Sequence, residues 1–255
     1  MILGRNKAGK VGQKAEVNEA QGKKARGLSC PESVSGGLGG HYTKVFDKGE
    51  TLKKLEQAEF EALVHRAEVL ESDAYGPKIF RLCDGSMLKM FRLKRWFSSA
   101  LLFPYSRRFV RNCRRLKSLR VPCPEITMLY CVPHLSREAL LYRPLAGETL
   151  RSLIRNGVNA DVARTMRIEL ADFINRLHAS GVLFRSLHLG NIVRTPSGAY
   201  GLIDVADMVI FFHPLFSWQR TRNFGHLTRY TEDAVWLDAD GGFVGLCASR
   251  RGSLD

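Results

Sequence analysis

The chain reads as an α+β protein, with a sheet-rich first half and a helical second half, and three observations predict this. Short apolar segments alternate with turn residues from Val69 to Arg92. A long amphipathic stretch follows at Ala160–Gly181, with Met166, Leu170, Phe173, Ile174 and Leu177 on one stripe. After it, a polar loop lies between two short apolar segments, the second ending in the carboxylate of LIDVAD (Leu202–Asp207). With 255 residues, 45% of them apolar, the chain suits one globular domain or a two-lobed one.

Residues 1–42 are rich in Gly, Lys, Ala and Ser and hold few large apolar side chains. They read as a disordered basic extension that does not pack, with residues 43–255 as the domain. From Thr51 to Glu71 the spacing of Leu52, Leu55, Phe60, Leu63 and Val64 predicts an amphipathic helix within the segment. Val69–Arg92 reads as three short strands, with turns at Asp73–Gly76 and Asp84–Gly85, the latter a hairpin signal. Arg107–Leu119 reads as a basic helix that ends near Val121-Pro122. Ile126–Val132 and Glu138–Arg143 are strand candidates, the second stopped by Pro144. A short helix within Ala146–Gly157 ends at the glycine, and Asn159 is placed to cap the long helix that follows. Arg220–Leu237 is helix-like, and a polar tail is expected from about residue 240 to 255.

Lys and Arg number 39 against 25 acids, a formal charge of +14, which favours anionic partners. From Lys89 to Arg120 there are eleven Lys or Arg and no Asp or Glu. This tract is either a solvated face or a surface for phosphorylated sugars or anionic lipid head groups. Trp96, Phe97 and Tyr105 are interleaved with these charges, but no recognised nucleic-acid motif accompanies them, so nucleic acid is not the expected partner. None of the six cysteines forms a Cys-x-x-Cys pair and no His cluster completes a zinc pattern, so buried reduced thiols in a cytoplasmic protein are expected. No eighteen consecutive apolar residues occur and MILGRNKAGK has no signal-peptide core, so no transmembrane segment is expected.

The chemistry concentrates in HASGVLFRSLHLGNIV (His178–Val193) and LIDVAD. Asn191 in the loop and Asp204 at the strand end are an amide and a carboxylate of the kind a magnesium–nucleotide site needs. Each alone is a common feature of α/β chains; the joint spacing distinguishes them. Ser186 and His188 sit in the same loop. Asp207 is a further acid, whose spacing also suits a helix cap.

The spacing resembles that of the protein-kinase-like superfamily, and within it the small bacterial lipopolysaccharide core kinases known as toluene tolerance proteins. The likeness runs from about Val69 to Leu237. Kinases of this group read His-Arg/Gly-Asp-Leu-His-Pro-Gly-Asn where this chain has Phe184-Arg185-Ser186-Leu187-His188-Leu189-Gly190-Asn191. The resemblance implies a two-lobed fold, with a small antiparallel sheet lobe over about 51–143 and a reduced helical lobe over about 144–240. It implies ATP and Mg2+ as cofactors, with Asn191 and Asp204 on the metal, Lys89 on the α- and β-phosphates, and Tyr142 to Leu145 along the adenine. Ser186 replaces the usual catalytic Asp, which costs about 10²–10⁴ in rate for a lost general base; His188 is the alternative base or γ-phosphate contact. The helix acid that normally pairs with the lysine is replaced by Asn112, and Asp73-Ala74-Tyr75-Gly76 keeps one glycine of the usual phosphate loop. The implied activity is phosphorylation of a lipopolysaccharide core sugar at the inner face of the inner membrane. The alternative is a pseudokinase that binds nucleotide, partner or membrane without transfer. A basic RNA-binding module is a third class, distinguished by steeply salt-dependent RNA binding.

Overall fold

The computed structural model describes residues 44–46, 50–92 and 104–250. The chain divides into two units, Met1–Gly37 and Leu38–Asp255, and all described residues belong to the second. The extension read at 1–42, and Trp96 and Phe97 of the basic tract, lie outside the described residues.

The first half is a sheet with helices on both faces, which makes the architecture α+β. Its strands are β1 (Lys44–Phe46), β2 (Glu50–Lys54), β3 (Glu68–Asp73), β4 (Gly76–Arg81), β5 (Met87–Arg92), β6 (Glu125–Val132) and β7 (Arg137–Arg143), in the spatial order β1-β2-β6-β7-β5-β4-β3. The expectation of an antiparallel sheet needs correction, because β2 pairs with β6 in parallel while the other neighbours are antiparallel. The helical stripe expected from Leu52 onward is also shorter than its spacing suggests. Leu52 belongs to β2, Leu55 N donates to Cys131 O at 2.8 Å to extend that pairing, and helix α1 starts only at Gln57 and ends at Val64. The open edge of β6 captures a segment whose local apolar spacing fits either element. The three strands read between Val69 and Arg92 form as expected. Their second turn is held by Asp84, which accepts from Ser86 N and Ser86 Oγ at 2.9 Å each.

Alternation along the strands assigns the two faces. Leu88 and Met90 of β5 and Ala139 of β7 join Leu55 and Phe80 in a small core, with Phe60, Leu63 and Val64 of α1 packed on it. Leu140 of β7 belongs to the main core, with Phe91 packed against it. There the sheet meets α2 (Tyr105–Ser118), which buries Phe109, Val110, Cys113 and Leu116.

The second half is built on α4 (Ala160–Ala179), capped by Asn159, whose side chain accepts from Asp161 N at 2.9 Å. The remaining elements are β8 (Glu148–Thr149), α3 (Leu150–Arg155), β9 (Val182–Phe184), β10 (Ile192–Arg194), β11 (Tyr200–Leu202), β12 (Met208–Ile210), α5 (Ser217–Leu227) and α6 (Thr231–Leu237). The polar tail expected after residue 240 instead contains α7 (Phe243–Ser249), with Phe243 and Cys247 buried. Asn175 Nδ2 donates to Cys247 O at 2.8 Å, and Arg250 forms a two-pronged pair with Asp172 at 2.5 Å. The segment FVGLCAS is apolar but only 7 residues long, too short to show a helical stripe, yet burying Phe243 alone contributes about 1.5–3 kcal/mol. Among the described residues, no helix is long and apolar enough to cross a membrane. Five described cysteines are free thiols.

Candidate active site

Two small ladders position the polar groups. In the β10–β11 hairpin Ile192 pairs with Leu202, and Ile203 N donates to Asn191 O at 3.0 Å. Asn191 and Asp204 are thereby held at the same end of the hairpin. In the β9–β12 ladder Phe184 pairs with Met208, which sets the residues just beyond, Ser186 and Asp207, side by side. Ser186 Oγ donates to Asp207 Oδ2 at 2.5 Å, and Asp207 Oδ1 is buried without a hydrogen-bond partner among the described residues. A Ser opposite a carboxylate is a donor that orients it. The other oxygen is left as a desolvated acceptor.

Lys89 arrives from the sheet. It is 6% exposed, and its Nζ forms an ion pair with Asp204 Oδ1, 115 residues along the chain. The Phe109 and Phe91 rings lie 5.7 and 5.8 Å from the ammonium, which adds cation–π attraction. Asp204 itself has φ +53°, a left-handed conformation that costs a non-glycine residue free energy and that clusters at functional sites. Its side chain is half exposed.

The turn that carries both carboxylates is clamped by α2. Asn112 is buried and its Nδ2 donates to Val205 O at 2.7 Å and Met208 O at 2.9 Å; Arg115 Nη1 donates to Ile210 O at 2.8 Å. This corrects the expected Lys89–Asn112 contact: Asn112 serves backbone carbonyls, and the face of α2 turned to Lys89 presents Phe109. The helix lacks an acid, but the sheet supplies one. Buried Glu138 of β7 accepts from Ser106 Oγ, and Arg107 Nη2 lies 3.5 Å from it. A carboxylate at the first turn of a helix is also favoured by the helix dipole.

Lys89, Ser186, Asp204 and Asp207 line one cavity of about 300 Å3, together with Asp73, Lys78, Arg92, Tyr105 and Arg137. The β3–β4 turn stands over it. Arg137 Nη1 donates to Pro77 O at 3.0 Å and Nη2 to Tyr75 O, while the Arg92 guanidinium stacks 3.4 Å from the Tyr75 ring centre. Hydrogen bonding to Glu71 pushes the pKa of Lys78 up. The wall therefore offers cations to an anionic ligand and carboxylates to a cation. A larger hollow of about 720 Å3 lies between α2 and residues 121–129, but it gathers only Cys113, Cys123, two cations and Glu125 as titratable groups.

The other residues singled out in the sequence, Asn191, His188, Tyr142 and Leu145, are not among those that line this cavity. Asn191 is buried behind Ser186, its Nδ2 donating to Ser186 O at 2.9 Å, which leaves Oδ1 as the acceptor. His188 does not line the cavity. It packs edge-on to Tyr230 at 5.1 Å, and its Nδ1 is buried with no partner among the described residues. Burial and the Arg151 guanidinium hold its pKa below the ordinary value. Tyr142 packs on Phe109 with ring centres 5.7 Å apart, and burial, then Asp204, pushes its hydroxyl up to about 12. Leu145 covers Gly201, where a Cβ would come within 2.5 Å of Leu145 Cδ2 and 2.6 Å of Pro122 O, so only glycine fits beneath it. Asp207, for which a capping role suits the spacing, instead faces Ser186. Its signal was the helical ambiguity of VAD, which only the β9–β12 pairing resolves. Glu138 carried no sequence signal, because an acid within an alternating strand reads as solvent-facing.

A divalent cation fits the donor set in part. Asp204 and Asn191 offer hard oxygen ligands at one hairpin end, which suits magnesium that keeps waters and shares a nucleotide's phosphates. Among the described residues, no group of three His, Cys, Asp or Glu gathers into a metal site that would hold an ion without such a ligand. No family model matches the chain, and no curated protein matches its sequence.

Proposed function

We propose that this cleft binds ATP with Mg2+ and that the chain is a kinase-like phosphotransferase, with the two-lobed arrangement of the protein-kinase-like superfamily. The observation that carries the reading is the convergence of Lys89, Asp204 and the Ser186–Asp207 pair in one cavity. A lysine on the third strand of the β3–β4–β5 meander, followed by a helix, supports it. Asp204 and Asn191 would hold the magnesium, which would neutralise phosphate charge. Lys89 would exchange Asp204 for the nucleotide's phosphates. Tyr142, near the end of β7, and Leu145, just beyond it, would border the base.

Asp207 supplies the carboxylate missing at Ser186. An acceptor hydroxyl gives its proton to Asp207, directly or through Ser186 Oγ. The acceptor oxygen bonds to the γ-phosphorus as the β–γ bridging bond breaks, and ADP leaves. The resemblance makes the acceptor a lipopolysaccharide core sugar, met at the cytoplasmic face of the inner membrane, with the basic α2 toward anionic core or lipid head groups. The rival reading, a pseudokinase, draws on Ser186 and on the absence of a helix acid beside Lys89.

Calorimetric titration with ATP and Mg2+ tests the nucleotide site: wild type binds and Asp204→Ala does not. No binding by wild type removes the proposal. Phosphate transfer to deacylated core oligosaccharide separates the two readings. Activity lost in Asp207→Asn supports the enzyme. Inert wild type that gains activity in Ser186→Asp establishes the pseudokinase.

A further inference from the structure

The loop between β12 and α5, together with the first turn of α5, places large aromatic side chains in solvent. Phe212 is 100% exposed, Phe216 57% and Trp218 63%. His213 stacks between Phe211 and Phe216, at 5.4 and 4.8 Å, which ties Phe216 to the loop. Three large aromatics exposed between positions 212 and 218 mark an interaction surface rather than scattered surface apolar residues.

The loop is firmly built. Phe211 N donates to Gly181 O at 2.9 Å, Leu215 N donates to His178 O at 2.8 Å, and Leu215 is buried as an anchor. Gly181 has φ +75°, and a Cβ there would meet the carbonyl oxygens of Phe211 and His213 at 2.6 Å, so the loop sits directly on the backbone at the end of α4. The aromatic rings are thus presented by a fixed frame.

The helices that flank the loop, α2 and α5, carry no acid. No Asp or Glu occurs from Gly85 to Pro124 or from Met208 to Thr231, and these stretches contain α2 and α5, the helices beside the loop. The Arg115 guanidinium lies 5.3 Å from the Phe212 ring, and Arg220 Nε donates to Leu215 O at 2.8 Å. Protruding aromatics with Arg115 and Arg220 beside them, carried between two acid-free helices, match the interface of a bilayer with anionic head groups. A second copy of a chain with formal charge +14 would bring the same charge to the same patch. A protein partner would need a preformed pocket for a ring exposed on every side, whereas a bilayer needs none.

We infer that Phe212, Phe216 and Trp218 form a docking foot that inserts into an anionic lipid surface, with the cations of α2 and α5 on the head groups. The foot lies at the far end of the β9–β12 ladder from Ser186 and Asp207. Three residue pairs separate them, about 10 Å. Docking would therefore hold the cleft close above the membrane. The inference is carried by residues outside the cleft and stands whether or not phosphoryl transfer occurs there.

Co-sedimentation with vesicles tests it, comparing phosphatidylcholine alone with phosphatidylcholine containing phosphatidylglycerol. Wild type is expected to bind only the anionic vesicles, and the Phe212→Ser/Phe216→Ser variant to bind them at least about tenfold more weakly. Both rings are exposed, so circular dichroism and thermal unfolding should show the variant folded as wild type. Raising the salt concentration should weaken wild-type binding to the anionic vesicles. Equal binding by wild type and the double Ser variant would overturn the inference, as would wild type that ignores both vesicles. Concentration-dependent self-association abolished by the Ser changes, without lipid binding, would assign the patch to a second copy instead.

Discussion

The loop Ser186–Asn191 has two sides, and its charged neighbours are treated differently on each. On the inner side Asp233 of α6 is 1% exposed and has its oxygens engaged. It pairs with Arg151 Nε at 2.9 Å and Nη2 at 2.7 Å, and accepts from Leu189 N at 2.9 Å. The Arg151 guanidinium also lies 4.4 Å from the Tyr230 ring centre. On the cleft side Asp207 keeps one buried oxygen without a partner among the described residues, and Asp204 is half exposed beside Lys89. A fully satisfied buried ion pair braces a loop. A partly satisfied one stores electrostatic potential that a ligand can discharge. The same few residues thus separate support from chemistry.

The largest expected effect falls on the brace. Asp233→Ala leaves Arg151 and Leu189 N without their acceptor and should lower stability by about 3–5 kcal/mol in denaturant unfolding. A loss below about 1 kcal/mol would mean that the brace does not hold the loop. On the cleft side the opposite pattern is expected. Asp207→Asn should cut the rate of phosphate transfer by about 10²–10⁴-fold, while leaving the unfolding midpoint unchanged or raised, since a buried charge is removed. A clear fall in stability would place Asp207 with the supporting groups. Between the two sides stands the clamp from α2. Asn112→Ala removes the side-chain donor shared by Val205 O and Met208 O and should cost about 1–3 kcal/mol. Nucleotide affinity should fall with it, because the Asp204 turn loses its support.

The smallest effect concerns pH. The pKa of His188 is lowered by burial and Arg151, and that of His226 by burial and then Arg229. A histidine whose folded pKa lies below its unfolded value binds fewer protons when folded. Stability is then complete above the ordinary value of 6.5 and declines as pH falls through the window beneath it. Unfolding curves between pH 7 and pH 5 should show this decline, about physiological histidine titration. His188→Gln should reduce its slope. An unchanged slope would assign the whole effect to His226.

Much of the fold was legible because local chemistry and tertiary need agree there. The Asp84–Gly85 hairpin, the Asn159 cap and the stripe of α4 are written in short-range patterns that the packed protein preserves. Leu52 and Leu55 misled, because their spacing suits a helix until the edge of β6 is available to pair with. α7 was hidden because its 7 residues are too few to show a helical stripe. In the site, the Asn191–Asp204 spacing was readable because one tight hairpin joins them. Glu138 and the orientation of Asp207 were not, since their partners lie across the chain.

The chain's own residues determined the strand-and-helix order, the polar loop, the carboxylate that ends its second strand, and the acid-free basic stretches. These follow from periodicity, turn chemistry and charge, which act over a few residues. The tertiary structure decided which carboxylate meets Lys89, which replaces the acid missing at Ser186, and which aromatics remain in solvent. Those outcomes depend on contacts spanning up to 115 residues, where packing and the cost of unpaired buried charge select among partners that local sequence leaves equivalent.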